Sequence, residues 1–390
     1  MTKKYFFLLN AYHILVDGLY DSIPILLTFI VIHFGGDEKQ IGYIVSCGTL
    51  IGTACGICTL AFSQRLAFRK ILGFTALLYA VGYLANGFSQ GIAWTGVFFV
   101  IAASWHSVFH NITFSHISAK IDRKVLGRAL SDFTAYGDVG RIPLTALSGY
   151  AAVMTIFGMP GWRIVCFAYG MVALIVAAIL LLHRTTANTA EPAAKKKRLL
   201  PSPDPLRNRR VRNVVLASVV NAFGSDHIFV FLPALLLFKG FDATILGSLA
   251  LGFTLGCFIG KTLCGRLLDK FGTRPIFVTS EILLAGLLAV LIFAQSLIFV
   301  IFIALLIGIV TKGTVPVIQS MLTEYLPTDE HYDDIFILNN LLRGAINIAA
   351  PALFGLIGSK FGLNATYTVM AVAAIAAILP LLFIQRQGTN

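Results

Sequence analysis

Charge is what this sequence has least of. Asp, Glu, Lys and Arg make up only 12% of the chain, about half the share of an ordinary soluble protein. A fold with water on every side is therefore excluded. Acidic residues are the scarcer sign: 18 Asp and Glu stand against 30 Lys and Arg, a net charge of +12. No G-x-x-x-x-G-K-[ST] loop is present, so no ATP-binding phosphate loop is expected. No small-residue cleavage site ends the first apolar run, which carries His13, Asp17 and Asp21. That run reads as a retained membrane span and not as a cleaved signal. Cysteines are few. Cys47, Cys55, Cys58, Cys166, Cys257 and Cys264 all fall inside apolar stretches. Cys55 and Cys58 have C-x-x-C spacing without a flanking strand or loop, so neither redox nor metal chemistry is expected of them.

What the chain does have is apolar length. Hydrophobic residues reach 57%, gathered into runs of roughly 20 residues, enough to cross a bilayer as a helix. Twelve spans are expected, at 5–34, 41–62, 71–88, 91–117, 127–157, 162–182, 213–238, 243–264, 275–293, 296–315, 334–358 and 364–384. Cations alternate between the two sets of connections. Lys3, Lys4, Arg65, Arg69, Lys70, Lys120, Arg123, Lys124, Arg184 to Arg212, Lys270, Arg274 and Arg386 fall on one side. Lys39, Lys239 and Lys360 are nearly all of the other. The positive-inside rule puts both termini and the central loop in the cytoplasm. The basic balance is read as this collar, and no nucleic-acid partner is expected. The acidic loop 324–334 runs against the trend.

Residues 184–212 form the expected linker, with Lys195 to Arg198, Pro201, Pro203, Pro205, Arg207, Arg209, Arg210 and Arg212. The linker separates an N-terminal six-helix bundle, 1–183, from a C-terminal one, 213–390. The halves read as weak repeats: Asn10-Ala-Tyr12 and Pro24 in span one correspond to Asn221-Ala-Phe223 and Pro233 in span seven. Transporters built from repeats hold substrate near the midplane between them.

Ionisable groups are costly in hydrocarbon and should face a protein-lined chamber. His13, Asp17 and Asp21 recur every four residues and share one helical face. His106 and His110 lie one turn apart in span four. Asp138 and Arg141 are spaced to pair within span five. Asn339, Arg343 and Asn347 form a matching stripe in span eleven, and Asp226-His227 follow Gly224 in span seven, where glycine and Pro233 would let the helix bend or unwind. Lys261 and Lys312 are expected to snorkel from span ends. The pair His106/His110 has metal-ligand spacing, but no further His or Cys cluster accompanies it in sequence, so no metal site is expected. Spans three, six and twelve hold no ionisable residue in their interiors and span nine only Glu281, so these are expected to face lipid.

After span eight the chain reads Gly265-Arg-Leu-Leu-Asp269-Lys270-Phe-Gly272-Thr-Arg274. This resembles the G-x-x-x-D-[RK]-x-G-x-[RK] gating loop of the major facilitator superfamily. The equivalent loop 61–70 keeps only its basic end. His13-x-x-x-Asp17 and Ser107-Val-Phe-His110 look like the H-x-x-N-D and S-V-F-H-P-E motifs of fosmidomycin-resistance-type efflux proteins, with Val16 in place of Asn and Asn111-Ile112 in place of Pro-Glu. The superfamily resemblance implies an all-α membrane protein of twelve transmembrane helices in two pseudo-symmetric six-helix bundles. It further implies a monomeric, cofactor-free secondary transporter working by alternating access in a bacterial inner membrane. The subgroup resemblance implies proton-coupled efflux of a drug or metabolite. Uptake of a small organic anion clamped by Arg141 and Arg343, and export of a siderophore or metal chelate, are the alternatives. A membrane enzyme or a non-transporting receptor are the other classes. Product formation in detergent would mark the first, and absence of counterflow the second.

Overall fold

A computed structural model describes residues 3–62, 67–121, 123–182, 202–326 and 332–383. Most of the linker, including Lys195 to Arg198, lies outside the described residues, as do the side chains of Asp132 and Asp269. The described chain is almost entirely helical. Such a chain can bury its whole backbone in lipid, because each helix satisfies its own peptide groups. Among the described residues, eleven helical segments are long and apolar enough to cross a membrane, Arg209–Phe238 counting as one although it is interrupted. The helix Arg123–Ala152 is not among them, and it is the one that carries Asp138 and Arg141.

Two compact units divide the chain: 1–196 with 242–251, and 197–241 with 252–390. The first contains α1 (Lys3–His33), α2 (Glu38–Phe62), α3 (Phe68–Gly87), α4 (Ile92–Lys120), α5 (Arg123–Ala152) and α6 (Gly161–Leu182). Between α5 and α6 lies a short hairpin, Thr155–Ile156 paired with Met159–Pro160. Its turn residues Phe157 and Gly158 both have positive φ, 53° and 75°, as a tight two-residue hairpin requires. The hairpin falls at the end of the span expected at 127–157, where the apolar pattern did not signal it.

The second unit contains α7 (Arg209–Ser225), α8 (Ile228–Phe238), most of α9 (Leu246–Phe271), α10 (Thr273–Phe293), α11 (Leu297–Glu324), α12 (Tyr332–Phe361) and α13 (Leu363–Leu382). α7 begins on an Asn208 cap, whose side chain accepts from the Arg210 amide at 2.9 Å. The first residues of α9 pack with the first unit, where Tyr150 and Ser248 share a hydroxyl hydrogen bond of 2.7 Å.

The same pairings recur in both units. α1 packs on α5, α3 on α6 and α3 on α4, just as α7 packs on α12, α10 on α13 and α10 on α11. α2 crosses α4, and α9 crosses α11 at Gly256 and Gly260, where an added Cβ would overlap Leu305 O and Ile309 O. The repeat read from short sequence matches thus recurs as a repeat of contacts. The two copies differ at their first helix. α1 runs unbroken through Pro24, whereas its counterpart stops at Ser225 and restarts at Ile228.

The helices poor in charge carry exposed apolar stripes. Met171, Ile175, Ile179 and Leu182 mark α6, and Val372, Ile375, Leu379 and Leu382 mark α13. Exposed apolar rows of this kind suit contact with lipid. α3 does more than face outward. Its Tyr79 and Tyr83 are buried, and the Tyr83 hydroxyl donates to the Leu19 carbonyl of α1.

Candidate functional site

In the first unit, α1, α4 and α5 bring their polar stripes onto one carboxylate. Asp17 is only 2% exposed. Its Oδ1 lies 2.9 Å from His110 Nε2 and 3.2 Å from His106 Nε2. Its Oδ2 lies 3.1 Å from His13 Nε2 and 3.0 Å from an Arg141 guanidinium nitrogen. Arg141 is itself shared, reaching Asp21 Oδ2 at 2.9 Å and Asp138 Oδ1 at 2.8 Å. Three carboxyl groups therefore surround one guanidinium. With all three ionised and the histidines neutral, the formal charge is 1 − 3 = −2.

Sequence explains how α5 comes so close. A Cβ at Gly137 would overlap Asp17 Oδ2, and one at Gly140 would overlap the Ile14 carbonyl. Only glycine lets these two helices cross at this distance. Aromatic rings fix the histidines. His13 stacks on Phe133 at 4.0 Å between centroids, and His106 stacks on Tyr20 at 4.0 Å. His13 Nδ1 lies 2.9 Å from the Phe133 carbonyl. A carbonyl only accepts, so Nδ1 carries the hydrogen, and Nε2 is left to face the carboxylate. His106 and His110 meet through their Nε2 atoms at 3.1 Å. His116 lies apart, stacked on Phe68.

The second unit has a simpler network. Arg343 donates to both carboxylate oxygens of Asp226, at 3.0 and 2.9 Å. Both bonds come from the one nitrogen Nη2, which sits astride the carboxylate and leaves the rest of the guanidinium for other partners. Its other nitrogen donates to the Ser218 carbonyl at 2.9 Å and the Asn221 side-chain oxygen at 3.3 Å. Asn347 donates to Asp226 Oδ2 at 3.2 Å. Asp226 and His227 occupy the gap between α7 and α8. His227 and Asn339 are buried, with no hydrogen bond joining either to Arg343 among the described residues.

Several positions differ from the sequence reading. Glu281 was expected near the cytoplasmic end of a lipid-facing span, but it is fully buried, and Asn221 donates to its Oε1 at 2.7 Å. Lys312 was expected at a span end. α11 continues through Pro316 to Glu324, so Lys312 is near its middle. In the loop motif, Gly272 has φ 79° and joins α9 to α10 in a single residue. Gly265 has open space around it, so close helix approach is not its role. Lys270 lies over the Phe271 ring at 5.2 Å, and Thr273 beside Arg274 bonds to Glu324. Gly137, Tyr20 and Phe133 escaped the sequence reading. Only the glycines at 137 and 140, in an otherwise polar helix face, gave a signal that could have found them.

Two helical units that repeat the same packing, each gathering ionisable side chains inside it, have the architecture of a membrane transporter. Comparison with known proteins agrees. Residues 7–235 and 214–389 match the family model of the Major Facilitator Superfamily. A cis,cis-muconate transport protein of Acinetobacter baylyi is 24% identical over 423 residues, covering 99% of this chain and 95% of its own. A putative metabolite transport protein of Escherichia coli, YaaU, is 34% identical over 87 residues, 22% of this chain and 20% of its own. Among solved structures, the nucleoside transporter NupG superposes with a TM-score of 0.76 at 13% identity, covering 98% of this chain and all (100%) of that one. A D-xylose-proton symporter superposes at 0.75 with 14% identity and 97% of each chain covered. The chain belongs to the Major Facilitator Superfamily. It is a transporter of small molecules, not an enzyme.

Proposed function

We propose that this transporter couples movement of its substrate to protons at the Asp17 cluster, and that it works as an exporter of a drug or metabolite from the cytoplasm across a bacterial inner membrane. The observation that carries the coupling is a single buried carboxylate contacted by three histidines and one arginine from three helices. Histidine changes charge between about pH 5 and 8, and moving α1 against α4 or α5 would change how many of these groups share a proton. The Asp226–Arg343 network is the corresponding element of the second unit. The cation-rich connections support termini on the cytoplasmic side.

The acid excess around Arg141 favours protons or cationic cargo over an anion clamp, since that guanidinium already has three carboxyl partners. Export also draws support from the resemblance to fosmidomycin-resistance-type proteins, because both motif segments, His13/Asp17 and Ser107 to His110, contribute to the one cluster. A second reading, uptake of an organic anion, is favoured by the relative named for cis,cis-muconate.

The test begins with a thermal-shift screen of drugs, organic acids and chelates against the purified chain. Ligands found there are then followed in proteoliposomes under an imposed pH gradient. Accumulation driven by the gradient in wild type, with exchange only in Asp17→Asn, supports the proposal. Gradient-driven accumulation in Asp17→Asn overturns it.

A further inference from the structure

The geometry points to a binding site for a divalent transition-metal ion of the zinc class, formed by His106, His110 and Asp17 with His13 as the fourth ligand. The ion lies on the same cluster as the proposed proton coupling, but its binding does not depend on that coupling. His106 Nε2, His110 Nε2 and Asp17 Oδ1 form a triangle with edges of 3.1, 2.9 and 3.2 Å. Ligand atoms that share one ion at about 2.0–2.2 Å lie about 3.0–3.5 Å from each other. Two imidazoles meeting through their Nε2 atoms cannot both donate, and each also faces the same carboxylate oxygen. A shared cation satisfies all three lone pairs at once.

His13 adds an independent observation. Its Nε2 is buried without an aligned hydrogen-bond partner, and it groups with Asp17 and His110, all ligand atoms within 4.8 Å of one another. Its other ring nitrogen donates to the Phe133 carbonyl at 2.9 Å. That arrangement, one nitrogen on a backbone carbonyl and the other turned toward the cluster, is how metal-bound histidines are usually held. Arg141 stays on Asp17 Oδ2, leaving Oδ1 for the ion. The formal charge of 1 − 3 = −2 described above is also what a divalent cation neutralises. Imidazole with one carboxylate suits zinc, cobalt or nickel over magnesium or calcium, which prefer all-oxygen sites. Sequence spacing had offered only His106 and His110. The fold supplies the remaining ligands from α1.

The experiment uses the full chain purified in detergent without an affinity-tag histidine run. Cobalt(II) and zinc(II) are titrated separately, with bound metal counted after desalting and the cobalt spectrum recorded. One metal per chain is expected, with the strong visible bands of four-coordinate cobalt bound by nitrogen and oxygen. The double variant His106→Gln/His110→Gln should weaken binding by more than the about 10- to 100-fold typical of losing an outer-shell partner, while thermal unfolding reports that it remains folded. His33→Ala, at an exposed histidine on the end of α1, should bind as wild type does. Substoichiometric binding, a weak six-coordinate spectrum, or binding unchanged in the double variant each overturns the assignment. Failure here leaves the proton-coupling test in proteoliposomes standing, since that test contains no metal.

Discussion

His110 Nε2 lies 2.9 Å from Asp17 Oδ1, joining two residues 93 positions apart. This contact ties α4 to α1, and Asp17 also holds Arg141 of α5. Any relative motion of these three helices must therefore rearrange the partners of one buried carboxylate. Removing His110 should damage coupling more than folding. In His110→Gln, gradient-driven transport is expected to fall at least about tenfold, the lower range for loss of a positioned proton-transfer group being greater still. Exchange of substrate without a gradient should persist. Equal loss of both activities would mean that His110 acts only in packing.

The crossing of α1 and α5 depends on glycine. Gly140→Ala drives a Cβ into the Ile14 carbonyl, a rigid backbone atom. Overpacking of this kind costs about 1–3 kcal/mol, read as a lower unfolding temperature in detergent. Gly137→Ala meets the tips of Asp17 and His13 instead, which can move. Its unfolding temperature should fall less and its transport more. Equal stability of Gly140→Ala and wild type would contradict the close crossing.

Much of the fold was legible in the sequence, because a run of about 20 apolar residues has few uses other than crossing a bilayer. The interruption in span seven was signalled by Gly224 and Pro233, although the helix breaks at Asp226 and His227. The pairing of Asp138 with Arg141 follows from their spacing within one helix. Their meeting with Asp17 does not, since helical periodicity says which residues share a face and nothing about which faces meet. Glu281 was misplaced for the same reason. A lone acid in an apolar helix looks interfacial until a neighbour, here Asn221, provides its hydrogen bond.

Glu281 should tolerate loss of charge but not loss of shape. Glu281→Gln keeps an acceptor for Asn221, and its stability should stay within about 1 kcal/mol of wild type. Glu281→Ala leaves a buried amide donor unpaired, at a cost of about 1–3 kcal/mol. Chemical unfolding of both variants decides this. Equal destabilisation would show that the charge itself is required.

Arg343 and Asp226 form a two-pronged pair with little exposure on either side, 16% and 21%. Removing one member leaves the other charge buried alone, which costs about 3 kcal/mol or more. Asp226→Ala and Arg343→Ala should each be less stable than the double variant. Arg343→Lys should be intermediate, because an ammonium cannot bond both Asp226 oxygens and Ser218 in the fixed fork of a guanidinium. Additive losses in the double variant would contradict a coupled pair.

The central claim is that protons bind at the Asp17 cluster, and this can be measured without knowing the substrate. Proteoliposomes adsorbed on a solid-supported electrode are stepped from about pH 7.5 to about pH 5.5, the range in which histidine titrates. Wild type should give a transient charge displacement as protons enter the protein. Asp17→Asn should lose that transient while Arg343→Lys retains it. An undiminished transient in Asp17→Asn would contradict the account.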